Sequence, residues 1–284
     1  MNNPDFIRYL EQRRLRPSSQ ALYLRCLARI STYFDASLDR LDSTQIQGYI
    51  RYLQKQGRPK RYINVEICAL NHYYTCQLRQ GLRKDNPAQH LRLRGVPRRR
   101  LIDLLTPTEL GEVINAYQQR WPQDLFRQAA LSMMVYQAAT TADLTSLEAR
   151  HISLAKAEIS FPGTTTTAAR RLPLSATQMM LLARFLNGKK PDEKPFLGAK
   201  PLTNRLGQLL RHQFPQLGPP AERIKKAHQI RASVIVHWLK TTDIRQVQYQ
   251  AGHKYVSSTE VYQKQDIQTL QEALLKYHPM GKIP

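Results

Sequence analysis

The chain has 284 residues, and 43 Lys and Arg against 21 Asp and Glu give it a formal net charge of +22. The length predicts about two domains, at roughly 100 to 200 residues per domain. The charge points to a polyanionic partner, which is either nucleic acid or an anionic membrane surface. No run of about 18 apolar residues is present, which argues against a membrane-spanning helix.

Both halves of the chain carry the positive charge. Residues 1–100 contain 20 Lys and Arg against 7 Asp and Glu, and the remainder contains 23 against 14. A membrane-binding protein usually concentrates its charge in one tail or helix, whereas charge spread over two globular halves suits a surface wrapped around a duplex. We therefore expect double-stranded DNA as the partner, and no membrane.

The N-terminus and the cysteines narrow the class further. Met-Asn-Asn-Pro-Asp lacks the basic and apolar regions of a signal peptide, so a cytoplasmic, nucleoid-associated protein is expected. Cys26, Cys68 and Cys76 show no Cys-x-x-Cys pairing, which favours three reduced thiols over a zinc site or a disulfide framework. Cys26 and Cys68 fall on apolar stripes and are expected in the core. Neither a metal nor a cofactor is predicted.

Residues 1–95 predict a helical bundle. Apolar residues recur at helical spacing, and Pro, Ser and Gly punctuate the segments, with Ser18 or Ser19 as the expected cap of the second helix. Four antiparallel helices of this kind form a compact bundle. The predicted helices run from Pro4 to Arg13, from Pro17 past Phe34, from Ser43 or Thr44 to Gln56, and from Lys60 to Arg79.

Lys60, Arg61 and Asn64 lie in the first turn of the last of these helices. Backbone N–H groups and basic side chains there could together hold DNA phosphates. A solvated first turn is the other interpretation, and the residues alone do not separate the two.

A basic segment, residues 96–105, is the expected domain linker. It contains Arg98, Arg99 and Arg100, little periodicity, and a Pro. Such a linker either contacts DNA phosphates as it crosses a duplex or is a solvated tether. Thr106, Pro107 and Glu109 then form the pattern of a capping box, which starts a second domain over residues 106–284.

The second domain is expected to be mostly helical with one β-hairpin. Ile159 to Phe161 and Arg171 to Leu174 flank a Thr-rich turn, Thr164 to Thr167. Arg170 and Arg171 on this hairpin are candidate DNA contacts. The predicted helices are Leu125 to Tyr136, Leu144 to Leu147, Ala176 to Leu186, Leu202 to Gln213, His228 to Lys240 and Ile244 to Gly252.

Four residues near the C-terminus form a candidate catalytic set: His228, Arg231, His253 after Gly252, and Tyr262. A tyrosine phenol can cut DNA without a metal, because a phosphotyrosyl link conserves the energy of the phosphate bond. Arg matches two phosphate oxygens with its planar fork, and His donates to the phosphate or moves the phenol proton. Each residue alone has a plainer interpretation, as solvated surface or packing, but the ordered set weakens it.

The spacing of this set resembles the H-x-x-R, G-H and nucleophilic Tyr of the tyrosine recombinase (phage integrase) family. The resemblance extends to the helical N-terminal half, the capping box at Thr106 and the Thr-rich hairpin. It implies a mainly α fold with a small β-hairpin or sheet, made of an N-terminal SAM-like helical DNA-binding domain and a C-terminal mixed α/β catalytic-type domain. It also implies that the amphipathic segment 267–277 docks on a neighbouring protomer, giving a homo-oligomer on DNA. The residues alone also allow this segment to fold back onto the core of its own chain.

Two positions depart from the family pattern. The family places its first Arg in a T-G-L-R turn, where this chain has Thr140, and a Lys on the hairpin, where this chain has Thr164 or Thr165. Loss of a preorganised donor costs on the order of 10² to 10³ in rate, and loss of a general acid on the order of 10² to 10⁴. Arg170, Arg171 and Lys156 are interpreted as phosphate contacts or solvated residues and not as replacements. Strand cleavage is therefore expected to be slow or absent.

Two functions remain open from the sequence. One is a site-specific recombinase of a mobile element or plasmid that acts through Tyr262, with a missing group supplied by a second recombinase. The other is a recombinase-like accessory factor or transcriptional regulator that binds DNA without cutting it. A generic basic helical protein, the third interpretation, does not account for the ordered motifs.

Overall fold

The structure is a computed structural model that describes residues 4–35, 37–96 and 103–263. They fall into two compact units that divide between Arg99 and Arg100. The division lies within the predicted linker, whose Arg98, Arg99 and Arg100 are outside the described residues, as is the predicted docking helix 267–277. None of the described helices is long and apolar enough to cross a membrane.

The N-terminal unit is helical, as predicted. Its long helix α4 (Lys60–Arg79) begins and ends at the predicted residues, and Gly81, with φ of +72°, follows it in the left-handed conformation that stops a helix. Its helices are α1 (Pro4–Gln12), α2 (Pro17–Phe34), α3 (Ser43–Lys55) and α4 (Lys60–Arg79). Each of the first three packs against α4, so α4 is the centre of this unit.

Two details of the N-terminal unit differ from the prediction. Arg16, and neither Ser18 nor Ser19, is the N-cap of α2, because Pro17 with its fixed φ occupies the first helical position. Cys26 and Cys76 are buried whereas Cys68 is exposed. Cys68 lies on an apolar stripe of α4. Such a stripe does not by itself show which of its residues the rest of the unit covers.

The C-terminal unit combines eight α-helical segments with a small sheet in the part of the chain that the structure describes. The helices are α5 (Pro107–Arg120), α6 (Leu125–Tyr136), α7 (Thr141–Ser146), α8 (Ala176–Leu186), α9 (Leu202–Gln208), α10 (Ala227–Thr241) and α11 (Ile244–Ala251), and residues 257–263 are also helical. Helix α6 is buried on nearly all sides, which explains its continuous apolar sequence. Helix α7 begins before the predicted Leu144, because Thr140 caps it.

The sheet has three antiparallel strands in the order β1 (Ile152–Ser153), β2 (Glu158–Phe161) and β3 (Arg170–Pro173). The predicted hairpin is β2 and β3, with Ile159 opposite Leu172 and both side chains buried. Strand β1 was not predicted, since two residues are too short to show alternation. The loop between β2 and β3 holds the four threonines and faces the C-terminal end of α11, where Thr167 pairs with His253 in a β-bridge.

The capping box at the start of α5 gives a direct test of local stability. The Thr106 hydroxyl accepts from the Glu109 N–H at 3.2 Å, and a Glu109 carboxylate oxygen accepts from the Thr106 N–H at 2.7 Å. We expect Thr106→Ala to lower the free energy of unfolding by about 1 kcal/mol, measured by urea denaturation. Thr108→Ala, two residues further on and exposed, is the matched control and should change it by less than about 0.5 kcal/mol. Equal effects would contradict the cap.

Candidate active site

Arg231 lies at the point where three helices of the C-terminal unit meet. Its side chain on α10 is only 7% exposed. The guanidinium donates to the backbone carbonyl of Ala138, after α6, and at 2.7 Å to that of Ala251, at the end of α11. Burial lowers the pKa of Arg231, yet a guanidinium stays charged at any accessible pH. The pocket therefore contains a fixed positive charge.

Tyr262 lies against this charge. Its side chain is 9% exposed and lies close enough to the Arg231 guanidinium to feel its charge. Burial raises the pKa of Tyr262, and the charge of Arg231 offsets this only in part. The phenol is therefore protonated at neutral pH, and its use as a nucleophile requires a neighbouring base.

Two histidine rings flank the phenol. His253 lies parallel to the Tyr262 ring at 5.7 Å between centroids, and His228 meets it edge-on at 6.2 Å. His228 and Arg231, three residues apart on α10, point to one side as the spacing predicted. The structure thus brings together all four residues of the predicted set.

The pKa of His253 is lowered to about 4, chiefly by burial and to a smaller extent by the charges of Arg231, Arg170 and His228. The ring is thus neutral at physiological pH and able to accept a proton. Its Nδ1 is 2.8 Å from the hydroxyl of Thr259, which is fully buried three residues before Tyr262. Thr259 was not predicted as a site residue. The sequence signal that could have indicated it is a hydroxyl three residues before Tyr262, which places both on one side of a helix.

A buried carboxylate, Asp143, organises the other side of the pocket. It pairs with Arg170 at 3.1 Å, and both side chains are fully buried. The hydroxyls of Thr140 and Thr167 donate to it at 2.8 and 2.5 Å. These donors and the Arg170 charge outweigh burial and lower the pKa of Asp143. The sequence analysis did not single out Asp143, although Thr140-x-x-Asp143 is a capping-box pattern.

The burial of Arg170 corrects one prediction. Arg170 was expected to face DNA from an exposed hairpin, but its side chain points inward from β3 because Asp143 attracts it and the Phe161 ring covers it at 4.3 Å. Arg171, the next residue, is exposed. The alternation of side chains along a strand separates the two arginines, and only the position of the core decides which of them is inside.

The two positions that depart from the family pattern hold hydroxyls that serve local structure. Thr140 is the N-cap of α7, and its hydroxyl is committed to Asp143. The Thr164 hydroxyl lies 2.8 Å from that of Thr167, which closes the hairpin turn. Neither Thr164 nor Thr165 brings a charge to the pocket. Lys156 is exposed in the β1–β2 turn, where its N–H donates to Ser153.

In the N-terminal unit, the structure separates the three candidate DNA contacts of α4. The amide of Asn64 donates to the Leu93 carbonyl and accepts from the Leu93 N–H, both at 2.9 Å. Lys60 Nζ donates to the Arg94 carbonyl at 3.2 Å. Arg61 is exposed. Asn64 therefore binds the backbone of the segment that follows the bundle. The prediction that its amide is available for a DNA phosphate is wrong.

Among the described residues, no group of three or more His, Cys, Asp or Glu side chains is placed to hold a metal ion.

Comparison with known proteins places both units in one family. The model of the phage integrase family matches residues 103–269, and that of the phage integrase N-terminal SAM-like domain matches residues 4–81. The tyrosine recombinase XerA of Pyrococcus horikoshii is 26% identical over 234 residues, 80% of this chain and 78% of XerA. The tyrosine recombinase XerC of Alcanivorax borkumensis is 26% identical over 285 residues, 95% of this chain and 91% of XerC.

Two solved structures share the fold at low sequence identity. The Tn1549 transposon integrase in complex with transposon right end DNA has a TM-score of 0.67 at 13% identity, over 94% of this chain and 98% of that one. A lambda integrase dimer bound to a COC′ core site also has a TM-score of 0.67, at 15% identity, over 90% of this chain and 74% of that one. These likenesses confirm the predicted mainly helical fold with a small sheet.

The low pKa of His253 predicts a pH dependence of stability. The unfolded imidazole has a pKa near 6.5 and the folded one of about 4, so the unfolded chain binds the proton first as the pH falls. The contribution to stability is complete above about pH 6.5, declines toward about pH 4 and is constant below it. We expect His253→Gln to lose less free energy of unfolding between about pH 7 and about pH 4.5 than the wild type, measured by urea denaturation.

The matched control is His90→Gln, at an exposed position of the other unit. This variant should keep the pH dependence of the wild type. If His253→Gln shows that same dependence, the buried neutral imidazole is not its source.

Proposed function

Because this chain belongs to the phage integrase family, we propose that it is a DNA-binding tyrosine recombinase that breaks and rejoins DNA strands through Tyr262. The observation that carries the proposal is the position of the Tyr262 ring, which lies beside the charge of the buried Arg231 guanidinium and contacts two imidazole rings. The site contains a nucleophile, a cation for the phosphate and two groups that carry protons.

The chemistry follows from these contacts. A DNA phosphate would enter beside Arg231, whose charge stabilises the negative charge that develops on the phosphate oxygens. The Tyr262 oxygen forms a bond to phosphorus, the bond from phosphorus to the 5′ oxygen breaks, and the phenol proton passes to a neutral imidazole such as His253. The 5′ oxygen must then take up a proton. Rejoining reverses these steps, with a 5′ hydroxyl as the attacking group.

The proposal includes attenuated cleavage. Thr140 offers a hydroxyl already bound to Asp143 in place of a second guanidinium that faces the phosphate. Thr164 and Thr165 offer no acid for the departing 5′ oxygen. The two losses together lower the rate by on the order of 10⁴ or more if they act independently. A group supplied by a second recombinase in an assembled complex would restore part of this.

A second candidate function is a DNA-binding accessory factor or regulator that does not cut. It is favoured by the internal hydrogen bonds of Thr140 and Thr164. These hydroxyls bind protein groups and carry no charge, so they give a phosphate at the site little stabilisation. The net charge of +22 supports DNA binding under either function. The two differ only in whether Tyr262 becomes covalently attached to DNA.

The remaining parts of the proposal concern assembly and cellular role. The lambda integrase structures are a dimer on a core site and a tetramer bound to a Holliday junction, which supports a homo-oligomer on DNA for this chain. We assign the contact between protomers to segment 267–277, and the DNA contacts to Arg61, Arg171 and the basic segment with Arg98, Arg99 and Arg100. The protein would act in the cytoplasm, on the DNA of a mobile element or plasmid, with two domains, residues 1–95 and 106–284.

Covalent trapping on a nicked suicide substrate tests the chemistry. Wild-type protein should accumulate a covalent DNA complex slowly, and Tyr262→Phe should accumulate none. Thr140→Arg combined with Thr164→Lys or Thr165→Lys should raise the trapping rate at least about 100-fold, because it returns the guanidinium and the acid.

Thr177→Arg, at an exposed position of α8, is the control for added charge and should leave the trapping rate unchanged. Rapid Tyr262-dependent trapping by the wild type would refute attenuation. Failure of both restored variants, with normal DNA binding, would favour the accessory factor.

DNA affinity should depend on charge and not on the nucleophile. Tyr262→Phe should bind duplex DNA within about 2-fold of the wild type, because phosphate contacts supply the affinity. Arg61→Gln should reduce the slope of log affinity against log salt concentration by about one, as expected for the loss of one phosphate contact. Arg184→Gln, an exposed arginine of α8, is the control with the same loss of charge. An equal change of slope in both variants would remove Arg61 from the interface.

A further inference from the structure

Arg170 occupies an unusual position for an arginine of a DNA-binding protein. Its side chain is completely buried, with the guanidinium 4.3 Å above the centre of the Phe161 ring. Both terminal nitrogens donate to Asp143, at 3.3 and 3.1 Å. A forked pair of this kind fixes the plane of the guanidinium as well as its position.

The Arg170 guanidinium also lies close to Gly252. A Cβ atom on Gly252 would lie 2.5 Å from Arg170 Nη1 and 2.9 Å from Cζ, so a larger residue there would displace either the guanidinium or the Gly252 backbone. Gly252 also has φ of +68°, a conformation that glycine adopts without strain. The guanidinium thus fills the space beside Gly252 that a side chain at this position would need.

The next residue after Gly252 is His253, and the same hairpin holds both. The Ala168 N–H donates to the Gly252 carbonyl at 2.8 Å, and Thr167 pairs with His253. Because Thr167 also donates to Asp143, the carboxylate fixes the loop from two sides. Because His253 directly follows Gly252, a shift of the Gly252 backbone away from Arg170 would also move the His253 ring relative to Tyr262.

We propose that Arg170 is a positioning residue for the reaction: its guanidinium, anchored on Asp143, supports Gly252 and thereby holds the His253 ring against Tyr262. Its consequence for catalysis rests on the proposed function, whereas its effect on His253 does not. A misplacement of about 1 Å at a reacting group can cost on the order of 100-fold in rate. Arg170 also has a purely structural role, since its charge neutralises Asp143. The experiment must separate that role from the positioning of His253.

The first test is the imidazole titration of His253, followed by NMR in the ¹⁵N-labelled full chain and assigned with His253→Gln. Arg170→Lys keeps a positive charge beside Asp143 but removes the planar fork under Gly252. We expect the pKa of His253 to rise from about 4 toward 6.5 as the ring leaves its buried place among Arg231, Arg170 and His228. Arg184→Lys, exposed on α8, should leave it unchanged.

Gly252→Ala provides a second variant that leaves the Arg170 and Asp143 side chains intact. Its Cβ would push the loop away from the guanidinium, and the His253 titration should shift upward as in Arg170→Lys. Gly188→Ala is the matched control, because Gly188 has φ of +77° and nothing within 4 Å of the added Cβ. Gly188→Ala thus carries the same backbone strain without the contact, and the His253 titration should not move.

The second readout is trapping on the suicide substrate at saturating protein. Both Arg170→Lys and Gly252→Ala should lower the trapping rate by about 10-fold to 100-fold at unchanged DNA affinity. The proposal is overturned if the pKa of His253 stays at about 4 in both variants. If wild-type protein traps no DNA at all, the proposed cleavage fails, while the titration still decides the role of Arg170.

Discussion

The pocket of the C-terminal unit depends on the buried guanidinium of Arg231. Removing such a charge from water is costly unless hydrogen bonds replace its hydration. Here the carbonyls of Ala138 and Ala251 do so. Because these carbonyls lie at the ends of α6 and α11 and Arg231 itself belongs to α10, the charge holds three chain segments together. The same donors that stabilise the fold are the ones that a phosphate would use.

A second buried charge, on Asp143, is satisfied in a different way. It receives Arg170, Thr140 and Thr167, which belong to β3, the start of α7 and the loop between β2 and β3. The pair leaves little charge uncompensated on that side, so the positive charge in contact with Tyr262 comes from Arg231. This explains physically why the absence of an arginine at Thr140 matters: the hydroxyl completes the Asp143 network but brings no charge to the phosphate.

Local patterns were sufficient for much of the fold. Helix α4 has the predicted ends, since Pro59 precedes it and Gly81 follows it. The capping box at Thr106 formed as predicted because its bonds join residues three apart. The strand β1 and the burial of Cys76 were not predicted, because each depends on neighbours distant in sequence. The cap of α2 was predicted at the wrong residue, although its cause, Pro17, is local. Asn64 shows the same limit: its amide is taken by Leu93, which the helix pattern does not reveal.

The sequence by itself determined the family, the mainly helical fold and the catalytic candidates, because ordered residue spacings and helix signals are properties of the chain alone. It determined the net charge in the same way. Only the tertiary structure decided that His228, Arg231, His253 and Tyr262 share one pocket, and that Arg170 faces inward while Arg171 faces outward. Strand alternation allows either arginine to be inside. The buried carboxylate of Asp143, brought there by α7, selects Arg170.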